Sequence, residues 1–453
     1  MIRTPLLVAA AALLAGALPA RAQTGLTIYN DGRVLVRRTV AASVPAGISE
    51  LRVLPGAMDP SSLLSLDTDV TVVQSRYDAA VDERSVLRRA VGRALSFEVA
   101  GKLVQATLVG TDPERWRLAD GVISFSRPGV LRVPEELVTT EPQLELQLRS
   151  GKARSSVGLG WFTDGTAWSA AYSVLLRKDN TARIEGAAVI SNATLRADSA
   201  EIQLVAGSPG RATPPAQKNQ LMMRAEASVA GFASDMAGAG ERLGDLRVYA
   251  LPGRWTLRPG LVTTIALFEP LAAKVEKTYE VSGVVPFWGP LLPRGDESDE
   301  AVAVKYTLAR PRQTEFGDRA IPGGVARVYD ADAQGRLQLV GEANVEHLPA
   351  GKPMELGTGV AFDLRARRIQ TSYLTRPPQP RQKSVATAAY SVTLSNAGDD
   401  AVAIDVVEER GGEWSVTASS VPAEKLSSTR SRFRVKVPAK GETVLTYTVQ
   451  IVW

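Results

Sequence analysis

The chain of 453 residues carries 53 Lys and Arg against 48 Asp and Glu, a formal net charge of +5, with one histidine, His347, and no cysteine. This composition excludes a thiol nucleophile, a thiolate metal site, a disulfide framework and a lipid-anchoring cysteine, and it excludes a metal site built from several imidazoles of one chain. The charges are interspersed with apolar residues rather than gathered into a long run, which argues against nucleic acid as a partner.

The first residues read as an export signal. Arg3 supplies the positive start, Leu6 to Leu18 the apolar stretch, and Ala20-Arg21-Ala22 the small-x-small cleavage pattern. Cleavage after Ala22 gives a mature chain starting at Gln23, located in the periplasm or secreted. The apolar run is cut by Pro19 and Arg21, short of the ~20 residues a helix needs to span a bilayer. No later stretch is long and apolar enough, so no transmembrane segment is expected after cleavage. An exported chain without disulfides must take its stability from sizeable cores.

From Gln23 on, a period of two dominates. Leu26-Thr27-Ile28-Tyr29 and Val34-Leu35-Val36 flank Asn30-Asp31-Gly32, a hairpin signal. Turns of the same kind recur at Val44-Pro45-Ala46-Gly47, Arg258-Pro259-Gly260 and Leu348-Pro349-Ala350-Gly351, each between strand-like runs. Asp82 to Val91 is the one helix-like stretch, with Val86, Leu87 and Ala90 at helical spacing. From Gly92 to Pro134 short strands carrying Phe97, Leu108, Trp116 and Phe125 suit a small closed barrel. A second β region runs from Val157 through Val205. Residues 207–244 then lose the period and collect Pro, Ala, Gly, Ser and the pair Met222-Met223, which reads as a mobile loop. Strands return at Leu246 and continue to Tyr373. Arg376 to Ser384, with Pro377-Pro378-Gln379-Pro380, reads as a linker. At the end, Arg434 to Val437 meets the turn Pro438-Ala439-Lys440-Gly441, and then Leu445, Tyr447, Val449, Ile451 and Trp453 share one face. The pattern predicts an all-β, multi-domain chain of antiparallel β-sandwiches with a small N-terminal barrel-like region and one long mobile loop. The expected divisions are a signal peptide over 1–22, an N-terminal β region over 23–145, a central sandwich region over 150–375 and a C-terminal sandwich over 385–453.

Four blocks in the later part carry a resemblance. They are Gly165-Thr166-Ala167-Trp168-Ser169-Ala170-Ala171-Tyr172, the run from Phe316-Gly317-Asp318 through Gly323-Gly324-Val325 to Tyr329, Val340-Gly341-Glu342, and Glu413-Trp414-Ser415-Val416 through Trp453. Over about residues 155–453 the chain resembles a bacterial envelope family known only as a domain of unknown function, similar to the C-terminal part of mucoidy inhibitor A proteins. Phe316-Gly317-Asp318 departs from the small-polar turn usual there. The resemblance implies a sandwich-rich envelope protein with no established reaction, and no catalytic residue is carried over by it.

The residues themselves give candidates and a bland reading beside each. His347 could act as a base with Glu346 or Glu342, but a single histidine beside an exposed turn reads better as a surface residue. Glu408-Glu409, Glu135-Glu136 and Asp330 with Asp332 could serve a glycosidase, which needs neither His nor Cys. Adjacent carboxylates on a strand point to opposite faces, so they read better as solvating charges. Asp330-Ala331-Asp332-Ala333-Gln334-Gly335 faintly resembles a calcium loop without its closing Glu. Arg365, Arg367 and Arg368, with Arg376, Arg381 and Lys383, form the densest basic cluster, suited to an anionic glycan or headgroup or else simply solvated. The candidate binding surface is Trp161, Asp164, Trp168 and Tyr172 around the Asp164-Gly165 turn, where paired aromatics can stack on a sugar or a partner side chain. The competing reading is cross-strand core packing, which also favours Trp opposite Trp. Trp255, Trp288 and Trp414 read as core. The expected function is binding or scaffolding in the cell envelope, toward an envelope protein or a glycan. No catalytic residue, metal or organic cofactor is expected. The alternatives are a carboxylate-dependent polysaccharide-active enzyme and a purely structural subunit of an envelope assembly.

Overall fold

The structure is a computed structural model and describes residues 23–79, 82–138, 140–207, 241–285, 297–376 and 383–452. The export signal and its cleavage site, most of the expected loop with Met222-Met223, Trp288, the Pro377–Pro380 run and Trp453 lie outside the described residues. What is described is mostly strand, as the period of two predicts, with no helix long and apolar enough to cross a membrane. The chain divides into two compact units. The first takes the described residues of Met1–Trp168, Ile190–Ala212 and Leu251–Thr263; the second takes those of Ser169–Val189, Thr213–Ala250 and Thr264–Trp453.

In the first unit, the strands Thr24–Tyr29 and Arg33–Val44 form the expected hairpin about Asn30-Asp31-Gly32. Gly32 has φ +91°, a conformation that costs a residue without Cβ little. Arg33–Val44 pairs in turn with Arg154–Asp164, antiparallel. Thr24–Tyr29 takes Ala197–Ala206 on its other side, and this ladder is parallel, unlike the antiparallel arrangement expected. Alternate residues of these strands, among them Leu26, Ile28, Val34, Val36, Val157, Leu159 and Trp161, point inward and are buried. A smaller sheet joins Gly47–Val53, Gln143–Ser150 and Val70–Asp78.

The helix spans Glu83–Ala90, capped by Asp82, whose carboxylate accepts from the Ser85 N–H at 2.8 Å. Its Val86, Leu87 and Ala90 face inward as their spacing predicts, against Leu95, Phe97, Ala106, Leu108 and Trp116. Phe97 and Trp116 meet edge to face at 4.8 Å. These residues come from a five-stranded sheet that runs from Val130–Arg132 through Ala94–Val99, Lys102–Thr111 and Glu114–Arg117 to Ile123–Ser124. The two end strands do not pair with each other, so the sheet is open and the expected closed barrel is corrected. The end strands hold only three and two residues, too short to seal a barrel, and the helix covers the apolar face instead.

The second unit ends in a two-layered sandwich. One layer runs in the order Glu297–Leu308, Met354–Arg376, Val385–Asn396, Gly441–Val452 and Glu413–Ser419, all antiparallel. The other runs from the later part of Leu261–Val285 to Val402–Arg410, parallel, then to Arg430–Val437 and Ala423–Lys425. Leu261–Val285 also pairs with Glu297–Leu308 and so joins the layers. Between them lies a core of Val281, Val302, Val392, Ile404, Val406, Phe433, Tyr390 and Tyr447, with Leu445, Val449 and Ile451 on the face that their alternation predicts. Among the described residues two strands sit at the ends of their layers, paired on one side only: Glu413–Ser419 and Ala423–Lys425.

Candidate binding groove

The aromatic residues expected around the Asp164-Gly165 turn do not form a surface. Trp161 has no exposed area, and its indole lies under the Arg38 guanidinium, 5.4 Å from ring centre to Cζ. Trp168 is 3% exposed and its Nε1 donates to the Val205 carbonyl at 3.1 Å. Tyr172 is buried, its hydroxyl donates to the Pro322 carbonyl at 2.6 Å, and burial holds its pKa well above the ordinary tyrosine value. Only Asp164 is exposed. The candidate aromatic surface is therefore corrected to core packing, because the alternation that makes these strands also turns positions 161, 168 and 172 inward. At the turn itself Gly165 has φ +91°, and a Cβ there would stand 2.9 Å from Thr194 Oγ1.

The other sequence candidates have local structural roles. His347 is exposed, and its Nδ1 accepts from the Gly323 N–H at 2.9 Å. Glu342 pairs with Arg327 at 2.7 Å. Asp332 accepts from the N–H groups of Gln334 and Arg336 at 3.0 and 2.9 Å, and so closes its own turn. Glu135 and Glu136 are exposed in a single 3₁₀ turn. Among the described residues, no group of three or more His, Cys, Asp or Glu side chains is placed to hold a metal ion.

Glu408 and Glu409 do point to opposite faces, but Glu408 is fully buried inside the sandwich rather than solvated. It belongs to a chain of charges of alternating sign that runs inward from the half-buried Glu300. Glu300 accepts from Arg368 Nε and Nη2 at 2.6 and 3.0 Å; Arg368 Nη1 donates to Glu408 Oε1 and, at 2.8 Å, to the Tyr447 hydroxyl. Arg368, one of the three arginines read as a basic surface cluster, is 1% exposed. Burial pulls its pKa down, but the charges of Glu408 and Glu300 with the Tyr447 hydroxyl raise it above the ordinary arginine value. The Tyr447 ring stacks on Phe433 and Tyr390 with centres 4.8 and 5.3 Å apart. Gln370 donates to the Tyr390 hydroxyl at 2.9 Å, and burial pushes that hydroxyl up to about 12. Gly283 lies beside the pair in register with Glu408; a Cβ there would stand 2.6 Å from Arg368 Nη2 and 2.7 Å from Glu408 Oε2.

Arg410 is the last member of this chain. It is 1% exposed, its Nη1 donates to the buried Ser431 hydroxyl, and its Nε and Nη2 have no hydrogen-bond partner. Burial lowers its pKa against the opposing pull of Glu408. A buried guanidinium with two unpartnered nitrogens is a costly arrangement, since each unpaired donor forfeits its hydration. The guanidinium lies 5.0 Å from the ring centre of Trp414, and the Lys425 ammonium lies 4.8 Å from the same ring. Trp414, half-buried rather than core, is fixed by its Nε1, which donates to the Ser428 carbonyl at 2.6 Å.

These residues line a groove of about 500 Å³ between the two end strands of the sandwich. Trp414, Val416 and Ala418 stand on one side, Ala423 and Lys425 on the other, and Ser431 at the base leads to Arg410. The groove therefore combines an aromatic wall, an exposed ammonium, a buried guanidinium behind its base, and two strand edges with no strand beside them among the described residues. Such a set can hold a chain in extended conformation and an anionic group. A scan of the chain against protein-family models gives no match, and a search of the curated proteins gives none.

Proposed function

We propose that this chain is an exported, non-catalytic binding or scaffolding protein of the bacterial cell envelope, and that it engages its partner through the groove beside Trp414. One observation carries the reading: the two unpaired strand edges of the sandwich, Glu413–Ser419 and Ala423–Lys425, flank one groove rather than opposite ends of the fold. Natural sheets commonly protect such edges with a bulge, a charge or a covering segment. Here the Glu413–Ser419 ladder has its irregularity between Val416 and Ala418, yet its outer side still opens onto an aromatic wall and a lysine. The expected export signal and the family resemblance of the sequence are what support the envelope compartment in this reading.

The test is complementation in cells that lack the protein. Ser415 is exposed and lines the groove, so Ser415→Trp should obstruct it without touching the core. The expected result is that Ser415→Trp, shown to be folded, fails to restore the wild-type phenotype while His347→Ala restores it fully. Full restoration by Ser415→Trp would refute the groove. Loss of function in a folded His347→Ala protein would bring the enzyme reading forward.

A further inference from the structure

The chemistry of the groove also says what class of partner it fits, an inference that rests on the reading just given. We infer that the groove takes an acidic peptide segment as an added β-strand, with a side-chain carboxylate held at Lys425. Three observations lead there. Among the described residues the Glu413–Ser419 strand pairs only with Gly441–Val452, so its outward N–H and C=O groups can pair with an extended backbone, as a peptide supplies. One cation at the groove lacks a counter-charge: among the described residues Lys425 has no carboxylate partner, whereas Arg410 is offset by the buried Glu408 and keeps only its Nε and Nη2 without a hydrogen-bond partner. The nearby acids are already engaged, Glu413 by Lys383 at 2.8 Å and Glu424 by Arg432 at 2.6 Å.

The roles of the two cations differ. Lys425 is exposed and can meet an incoming carboxylate directly. Arg410 is sealed beneath Trp414 and Ser431 and offset by Glu408, so it backs the Trp414 wall and leaves Lys425 to meet the anionic group. The strand is seven residues long, so a segment of similar length would cover it. Of its alternating side chains one row would enter the groove beside Trp414 and Val416, where an acid meets Lys425, and the other row would face away from it.

The probe is a capped, fluorescently labelled peptide of alternating Glu and Val, compared with its Lys-Val counterpart and with an Glu-Val version N-methylated at alternate amides, each titrated into the full chain by polarisation. The acidic peptide should bind, the Lys-Val peptide and the N-methylated peptide should bind at least roughly tenfold more weakly, and added salt should weaken the acidic complex. Lys425→Glu should reduce acidic-peptide binding by roughly tenfold with an unchanged melt, and Lys425→Arg should retain it. Equal binding of the acidic and basic peptides would overturn the inference, as would indifference to Lys425→Glu. Equal binding of the N-methylated peptide would overturn strand addition, and binding of polygalacturonate with no peptide binding would assign the groove to a glycan. The two readings fail separately: if the Lys-Val peptide binds and Ser415→Trp abolishes it, the groove stands and its acidic preference falls. If no probe binds and Ser415→Trp complements in cells, both fall.

Discussion

Gly283→Ala is a substitution that general rules would pass as harmless. In a strand, at a backbone angle that alanine accepts, such a change gains about 0.4–1 kcal/mol by restricting the unfolded chain. At this position the added methyl would stand 2.6 Å from Arg368 Nη2, 2.7 Å from Glu408 Oε2 and 2.8 Å from Arg368 Cζ. None of these atoms can give way cheaply. Arg368 is held by Glu300, Glu408 and Tyr447 at once, and Glu408 is fully buried. Overpacking of a well-filled core costs about 1–3 kcal/mol, and full separation of a buried ion pair about 3–5 kcal/mol. The methyl displaces the pair without deleting either partner, so the net expected loss is about 1–3 kcal/mol. Gly357, exposed and with nothing within 4 Å of its would-be Cβ, is the matched control, and Gly357→Ala should be neutral or slightly stabilising. Urea unfolding of both variants, followed by near-ultraviolet dichroism of the tyrosine stack, makes the comparison. If Gly283→Ala is as stable as Gly357→Ala, the charge chain is looser than these distances imply and the reasoning fails.

Trp161→Ala should cost ~3–5 kcal/mol as a buried aromatic deletion. Trp161→Phe should be milder than Trp116→Phe by about 1–2 kcal/mol, because the Trp161 Nε1 has no partner to lose while Trp116 donates to Glu114 at 2.7 Å; thermal melts of the two phenylalanine variants decide it, and equal losses would contradict the assignment. The Tyr390 hydroxyl is raised from about 10 to about 12, so its contribution to stability is fully present below pH ~10 and is lost as pH rises through about 12. The loss of stability between pH ~10 and ~12 should therefore be smaller in Tyr390→Phe than in the wild type, and an identical alkaline loss would argue against the burial. Asp405 is raised by burial despite Arg434 and Arg432 nearby, so its ionisation opposes folding, and stability held at low pH is lost as pH rises through its folded pKa. Asp405→Asn should then melt higher than wild type at pH 7; a lower melt would mean the arginine contacts outweigh the burial. Melts with and without EDTA, and with and without reductant, should superimpose, and a drop of several degrees with EDTA would reveal a structural cation.

The fold was legible where one physical rule decided the outcome. A period of two with Pro, Gly, Asn and Asp at the breaks places strands and turns, and the Asn30-Asp31-Gly32 and Pro438 to Gly441 turns stand where that rule puts them. In the second of these the left-handed residue is Lys440, at φ +48°, rather than the glycine beside it. Pairing was less legible, since alternation fixes which face a residue takes but not which strand lies beside it. The parallel ladder between Thr24–Tyr29 and Ala197–Ala206 joins segments far apart in the chain, and no local signal marks it. The open five-stranded sheet has the same origin: composition counts strands but does not say whether the first meets the last.

The candidate site was hidden for a different reason. Ile404, Val406, Glu408 and Arg410 fall on one face of one strand, as do Leu364, Ala366, Arg368 and Gln370 on another, so the period that buries the apolar members buries the charged ones with them. Composition treats Glu and Arg as surface residues because an isolated buried charge is expensive, and that prior prevails over the period when a strand is read alone. It gives way only when two such strands face each other and their charges neutralise, and that pairing is a property of the fold. Trp414 follows the same logic in reverse: a tryptophan reads as core until the strand that carries it proves to be the last of its layer. A residue of the expected sign at the wrong depth is then the most useful signal of this sequence. At 408 and 410 it was already present in the alternation.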